Sequence, residues 1–322
     1  MTPKVIIMAN STGMKEFYLH AFANMRFKYL YFALFLTVYL ITVIGNIFII
    51  VLTIIDHLLQ TPMYFFLRSL AFLDICYTST TLPQMLINLV IERLAISLPA
   101  CIIQLFVFLS LAASESFLLA TMAYDRCIAI CNPLRYPVII SKDFCIHMVA
   151  WTWVIGIIFG TIHTANTFRL PFCGSNVLNH YFCDIPPLLK ISCIDTFLNE
   201  ITIFATGGFV MHGCFLLIFG SYIQILFSVL SIPKGFGKKK GLSTCVSHLI
   251  VVLVFYGSGS LMYFRPKSNV LANKEWLLSL FYTSFTPLLN PIIYSLRNQD
   301  IQGAFQKHFR KSQIHKHFYN SC

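Results

Sequence analysis

The apolar residues of this chain come in long unbroken blocks, not in alternation. "LITVIGNIFIIVLTI" (40–54) and "LIVVLVFYGSGSLMYF" (249–264) run on without a single charge. A helix that spans a bilayer needs roughly 20 mostly apolar residues. Seven stretches meet that requirement: 29–55, 62–88, 99–128, 143–165, 198–230, 239–263 and 273–296. The pattern predicts an all-α membrane protein, a bundle of seven transmembrane helices. Connections are short except for residues 166–197 between the fourth and fifth spans. No internal repeat, low-complexity tract or soluble module interrupts the pattern, so residues 1–322 read as one domain. Its parts are an N-terminal tail (1–28), the bundle (29–296) and a tail (297–322) with a short amphipathic helix. The first residues, "MTPKVIIMANSTGMKEF", lack the apolar core of a cleavable signal, so the first span is expected to direct insertion.

Composition supports the membrane reading. Of 322 residues, 57% are hydrophobic and 11% charged, with mean hydropathy +0.74. Soluble domains carry about 25% charged residues. The single sequon, Asn10-Ser11-Thr12, suits a glycosylated N-terminus outside the cell. Seven spans then place the basic stretches "KGFGKKKG" (234–241) and "KHFRKSQIHK" (307–316) inside, as cytoplasmic loops prefer. Arg26 and Lys28, just before the first span, run against this orientation. The net charge of +11 fits anionic lipid and an acidic partner at the inner face, not nucleic acid.

Cysteines and buried charges narrow the chemistry. Cys101 opens the third span, and Cys173, Cys183 and Cys193 lie in the long loop, all on the oxidising side. Four cysteines allow three pairings. Cys76, Cys127, Cys131, Cys145, Cys214 and Cys245 read as small apolar residues. Asp74 and Glu115 lie mid-span, where ionisable groups face the bundle interior. Either each is a neutral, hydrogen-bonded core acid, or the two share a sodium ion with Asn46 and Asn290 as further oxygen donors. Asp125-Arg126 ends the third span, and Pro133 breaks the helix beyond it. In "SFTPLLNPIIYSLRN" (284–298), Pro287 and Pro291 should kink the seventh span beside Asn290 and Tyr294.

Seven spans with Asp-Arg ending the third and "NPIIY" in the seventh resemble the rhodopsin-like G-protein-coupled receptors. Within them the chain looks like a mammalian odorant receptor of the tetrapod-type (class II) group. Gly45-Asn46, "PMYFFLRSLAFLD", "MAYDRCIAICNPLRYP", "FCDIPPLLKISC", Ser221-Tyr222, "LSTCVSHL" and "PLLNPIIYSLRN" carry the resemblance. Cys127 and Arg135 depart from the family's Tyr and His, and Gly241-Leu242 from its Ala-Phe; all lie at the inner face and put coupling efficiency in question.

The resemblance implies disulfides Cys101–Cys183 and Cys173–Cys193. It implies a small volatile organic ligand held between the third, fifth, sixth and seventh helices, in a mostly apolar pocket. Phe108, Leu109, Ala112 and Ala113 would line it from the third helix, Thr206 and Val210 from the fifth. Tyr256, Gly259 and Tyr263 would face in from the sixth, and Leu280 and Thr283 from the seventh. Arg126, held by Asp125 at rest, would be freed to face a heterotrimeric G protein of the stimulatory olfactory type, which raises cAMP. Tyr222 and Tyr294 would brace the opened cleft beside the Asn290-Pro291 hinge. Leu134 and the lysine run ending at Lys240 would touch the partner. Residence in the plasma membrane of olfactory cilia and help from trafficking accessory proteins follow from the same resemblance, and no cofactor beyond the sodium ion is expected.

Rival readings lack their residues. A retinal-binding receptor needs a lysine within the seventh span, and "WLLSLFYTSFTPLLNPIIYS" has none. An amine receptor needs an acid in the outer third of the third span, and Cys101 to Ser114 has none. A transporter or channel would show repeat symmetry or a polar file through several spans. An enzyme would show nucleophile-base or metal-ligand spacing, whereas His163, His212 and His248 stand apart. A non-olfactory chemosensory receptor of the same superfamily remains the alternative.

Overall fold

A computed structural model describes residues 14–21, 27–91, 94–173, 175–231, 236–263 and 275–308. Asn10 lies outside them, and so do the side chains of Lys240 and Tyr263. Strand β1 (Glu16–Leu19) is followed by α1 (Lys28–Ile55), α2 (Pro62–Val90), strand β2 (Leu94–Ser97) and α3 (Leu98–Cys131). A single turn, α4 (Tyr136–Ile139), leads to α5 (Lys142–Phe168), strand β3 (Val177–Leu178) and the short α6 (Ile185–Lys190). Then come α7 (Phe197–Ser231) and α8 (Phe236–Tyr263). The seventh span is α9 (Glu275–Leu280), a π-helical turn (Phe281–Phe285) and α10 (Thr286–Arg297). A last helix, α11, covers residues 299–308.

The seven spans, α1, α2, α3, α5, α7, α8 and α9–α10, match the apolar blocks to within a few residues. Among the described residues, α1, α3, α5, α7 and Cys245–Met262 of α8 are long and apolar enough to cross a membrane by themselves. Of the other two, α2 carries more polar residues along its length, and the seventh span is divided into shorter helices by the π turn. The 29 residues of α2 nonetheless make a helix about 43 Å long. Helix starts follow local chemistry. Pro62 occupies the first turn of α2, where its missing N–H costs nothing. Ser141 Oγ accepts from Phe144 N at the start of α5, and Asp184 Oδ1 accepts from Ile185 N at α6.

Helix α3 runs through the middle of the bundle, buried along most of its length. Its closest neighbour is α5, and two glycines four residues apart make that possible. A Cβ on Gly156 would collide with Ser114 Oγ, and one on Gly160 with Ser110 Oγ and, at 2.8 Å, the Phe106 carbonyl. Small residues at this spacing let helix backbones touch within a bilayer. Ser114 Oγ donates to the Ser110 carbonyl (2.8 Å) and lies 3.1 Å from that of Thr152, tying the two helices together. Large apolar side chains point outward, with Phe209 80% and Leu216 66% exposed, as a lipid-facing surface requires.

The outer end carries structure that the hydropathy pattern does not announce. Strand β1 lies between β2 and β3, antiparallel to the first and parallel to the second. Phe17 and Leu19 of β1 are fully buried, and Phe17 meets Phe172 edge to face at 5.7 Å. Part of the expected N-terminal tail is therefore a structural strand. Disulfides join Cys101 to Cys183 and Cys173 to Cys193. The first ties the long loop to the top of α3; the second closes the loop on itself.

At the other end, α11 presents Ile301 and Ala304 to the core and Gln302, Gly303 and Gln306 to the outside, so it is amphipathic. Lys307 Nζ (3.2 Å) and His308 Nε2 (3.1 Å) reach the buried Asp56, just past α1. The Leu58 backbone N–H holds the Asp56 carboxyl below the usual carboxylate range. Burial opposes that shift, and Lys307 and His308 reinforce it.

Candidate ligand site and signalling switch

Three layers stack along the bundle axis. In the outer layer, α3, the long loop and the seventh span bring an aromatic cluster together. The Phe108 ring packs against Phe182 (4.8 Å), Tyr77 (5.2 Å) and Tyr282 (6.5 Å). Phe255 adds a contact to Tyr282 at 5.7 Å. Of the residues that the resemblance assigns to a ligand, Phe108, Leu109, Ala113, Tyr256, Leu280 and Thr283 are buried here. Ala112 and Val210 are half-buried. The Tyr256 hydroxyl donates to the Ser116 carbonyl (3.2 Å), fixing α8 against α3. Gly259 faces inward: a Cβ there would sit 2.9 Å from Met211 Cε. Thr206 is placed differently. It donates to the Thr202 carbonyl, and its Oγ1 lies 2.8 Å from Nε2 of the buried His163 on α5.

The roof of this layer is the loop itself. Tyr181, fully buried, reaches Thr283 Oγ1 at 2.7 Å and Ser279 Oγ at 3.4 Å in the seventh span. Its neighbour His180 stacks on the Tyr181 ring at 4.9 Å and keeps Nδ1 3.1 Å from the Phe182 carbonyl. Burial pushes the His180 imidazole down to about 3.

The middle layer is polar. Asn290 Nδ2 lies 3.0 Å from each carboxylate oxygen of Asp74. Asn46 Nδ2 donates to the carbonyls of Thr42 (3.0 Å) and Pro287 (3.4 Å). Pro291 lacks the N–H that would normally bond the Pro287 carbonyl, so that oxygen is free for Asn46. Gly45 permits the approach, since a Cβ there would lie 3.1 Å from Pro291 Cβ. Among the described residues Asn46 Oδ1, Asn290 Oδ1 and Glu115 Oε1 are buried without a hydrogen-bond partner.

The inner layer holds the charge pair. Arg126 Nε donates to Asp125 Oδ2 at 2.9 Å, and its Nη2 bonds the same oxygen. Tyr136 of α4 donates to Asp125 Oδ1 at 2.7 Å. Burial pushes the Tyr136 phenol up, so it stays a donor. A cavity of about 20 Å³, room for one water, opens beside Arg126 between Met122, His248, Tyr294 and Asn298. The Tyr294 hydroxyl is buried there without a partner among the described residues. Tyr222 is engaged with α8, donating to the Cys245 carbonyl (3.1 Å) and lying 2.9 Å from His248 Nδ1. Cys127 is not an idle core residue: its thiol donates to Gln224 Oε1 on α7 at 3.1 Å. On the inner surface Leu134 stands 95% and Val138 81% exposed.

A model of the family described as olfactory receptor matches residues 35–312. The chain belongs to the olfactory receptor family. Its relatives include mouse olfactory receptor 5M5, 42% identical over 98% of this chain and all of that one. Mouse olfactory receptor 8U3 is 48% identical over 86% of each chain, and human olfactory receptor 5AP2 is 46% identical over 92% of this chain and 95% of the relative. In the solved structure of squid rhodopsin, 88% of this chain superposes on 87% of that one with a TM-score of 0.69 at 18% identity, a likeness of fold. As an olfactory receptor the molecule is a multi-pass plasma-membrane receptor, not an enzyme, and it takes a small-molecule ligand and a G-protein partner.

Reading the sequence alone passes over Tyr136, Tyr181, Gln224 and the Gly156/Gly160 pair, and it leaves His163 standing apart where the structure joins it to Thr206. Only the glycines carry a signal of their own, the four-residue spacing. The others depend on which helix lies opposite.

Proposed function

We propose that this receptor binds small volatile organic molecules in the outer aromatic layer and activates a stimulatory olfactory-type G protein, raising cAMP. The observation that carries the reading is the alignment of that layer, the polar core and the Asp125–Arg126 pair along α3. A ligand at Phe108 and a partner at Arg126 then act on one helix. Phe108, Leu109, Ala112, Ala113, Val210, Tyr256, Gly259, Tyr263, Leu280 and Thr283 would supply the apolar walls and a few hydroxyls. Thr206 would act through His163. Such a site suits a ligand with little polar surface.

At rest Asp125 neutralises Arg126, and Tyr136 steadies Asp125. A ligand that binds the open state better by the required margin shifts the equilibrium. Arg126 then turns to the partner while Tyr222, Tyr294 and the Asn290-Pro291 segment rearrange. Leu134 offers an apolar anchor for the partner, and Lys240 a basic one. The partnerless oxygens of Glu115, Asn46 and Asn290, with Asp74, fit a sodium ion, which would neutralise the carboxylates and favour the resting state. The N-terminus would lie outside with a glycan on Asn10, in ciliary membrane, with accessory proteins assisting delivery. The test is an odorant-panel cAMP assay in cells that co-express trafficking helpers. Odorant responses should vanish when the stimulatory olfactory-type α-subunit is deleted and return when it is restored.

A further inference from the structure

The long loop does more than cover the bundle. Cys183 anchors it to α3, where its backbone N–H also donates to Gln104 Oε1 at 3.0 Å. Two residues earlier, Tyr181 crosses to the opposite wall and meets Thr283 at 2.7 Å. Thr283 lies in the π-helical turn Phe281–Phe285. Single π turns inside α-helices are often functional sites, because they re-aim side chains. Tyr181, Ser279 and Thr283 therefore form a small hydroxyl cluster, each side chain fully buried. Two rings flank it on the loop side: His180 stacks on the Tyr181 ring at 4.9 Å, and Phe182 lies 4.9 Å from it.

A hydroxyl cluster in apolar surroundings is costly unless its bonds are satisfied. It is also where a ligand oxygen finds a geometrically defined partner beside the aromatic layer. We propose that Tyr181 is the specificity-determining residue of the ligand site: the Tyr181–Thr283 hydrogen bond closes the empty receptor, and a ligand oxygen takes its place. The ligand class is then a small aliphatic molecule with one hydrogen-bonding oxygen, an alcohol, aldehyde or ketone, and not the matching hydrocarbon. This inference rests on the reading of the outer layer as the ligand site, but not on which G protein follows.

The probes are linear alcohols, aldehydes and ketones of about six to ten carbons, with the alkanes of equal length as controls. Binding is read as thermal stabilisation of purified full-length receptor, and signalling as cAMP in cells matched for surface level. The variants are Tyr181→Phe, Thr283→Val and their double. The wild type should bind at least one oxygenated probe and prefer it to its alkane. Each single variant should weaken that binding by about 2- to 10-fold, and the double should be no worse than either single. Alkane binding should not fall. Four results overturn the proposal: no oxygenated probe binds, the alkane binds as well, neither single changes the preference, or the two losses multiply. Binding that behaves as expected without a cAMP response leaves the proposal standing and refutes only the coupling pathway.

Discussion

At the residue scale, position 126 shows how neighbours set the meaning of a charge. An arginine at a helix end could simply reach the headgroups. Here its guanidinium folds back onto Asp125, which is itself held by Tyr136 and only 1% exposed. Removing the arginine leaves Asp125 its bond from Tyr136, so the fold should survive. Arg126→Ala is expected to keep surface delivery, measured by flow cytometry, while abolishing ligand-driven cAMP. Wild-type cAMP in that variant would refute the switch role. Cys127 makes a related point. Its thiol is buried against Ile225 and Cys245 and bonds Gln224. The departure that is visible in the sequence thus becomes a specific contact between α3 and α7.

Elements are decided by how closely backbones approach. The α3–α5 contact depends on Gly156 and Gly160, and Gly160→Val would push a branched side chain into the Ser110 hydroxyl and the Phe106 carbonyl. Overpacking of this kind costs about 1–3 kcal/mol, sometimes more. The variant should show a lower melting temperature in detergent and reduced surface level. Gly257→Ala, where nothing lies within 4 Å of the added carbon, should change neither. The long loop brings a pH dependence. His180 is buried neutral, with its value lowered to about 3 from the ordinary 6.5. Between those values the unfolded chain binds more protons than the folded one, so stability falls as pH falls. Thermal unfolding should therefore come earlier at pH 5 than at pH 7.5, and His180→Gln should flatten the difference. An unchanged slope in that variant would assign the effect to another group.

For the whole molecule, the outer cap ties together parts that are distant in the chain. Strand β1 bridges the first outer loop and the long loop, and Cys101–Cys183 fastens the latter to α3. Losing such a bridge typically costs about 2–5 kcal/mol. Cys183→Ser is expected to be retained inside the cell and to lose surface staining; normal delivery would show that the cap is dispensable. The sequence by itself determined the seven spans, because hydrocarbon thickness dictates a length and an apolarity that can be counted along the chain. It also determined the family, through "MAYDRCIAICNPLRYP" and "PLLNPIIYSLRN", it marked Asp74 and Glu115 as groups that must face inward, and it placed Asp125-Arg126 at the inner end of the third span. Tertiary structure alone decided the partners. Thr206 meets His163 on α5, Asn290 meets Asp74, Tyr181 meets Thr283, and residues 16–19 become a strand. The reason is physical. Burial of an apolar helix is enforced by the solvent and is local in sequence. A hydrogen bond between helices depends on rotation and register, which only the packed bundle fixes.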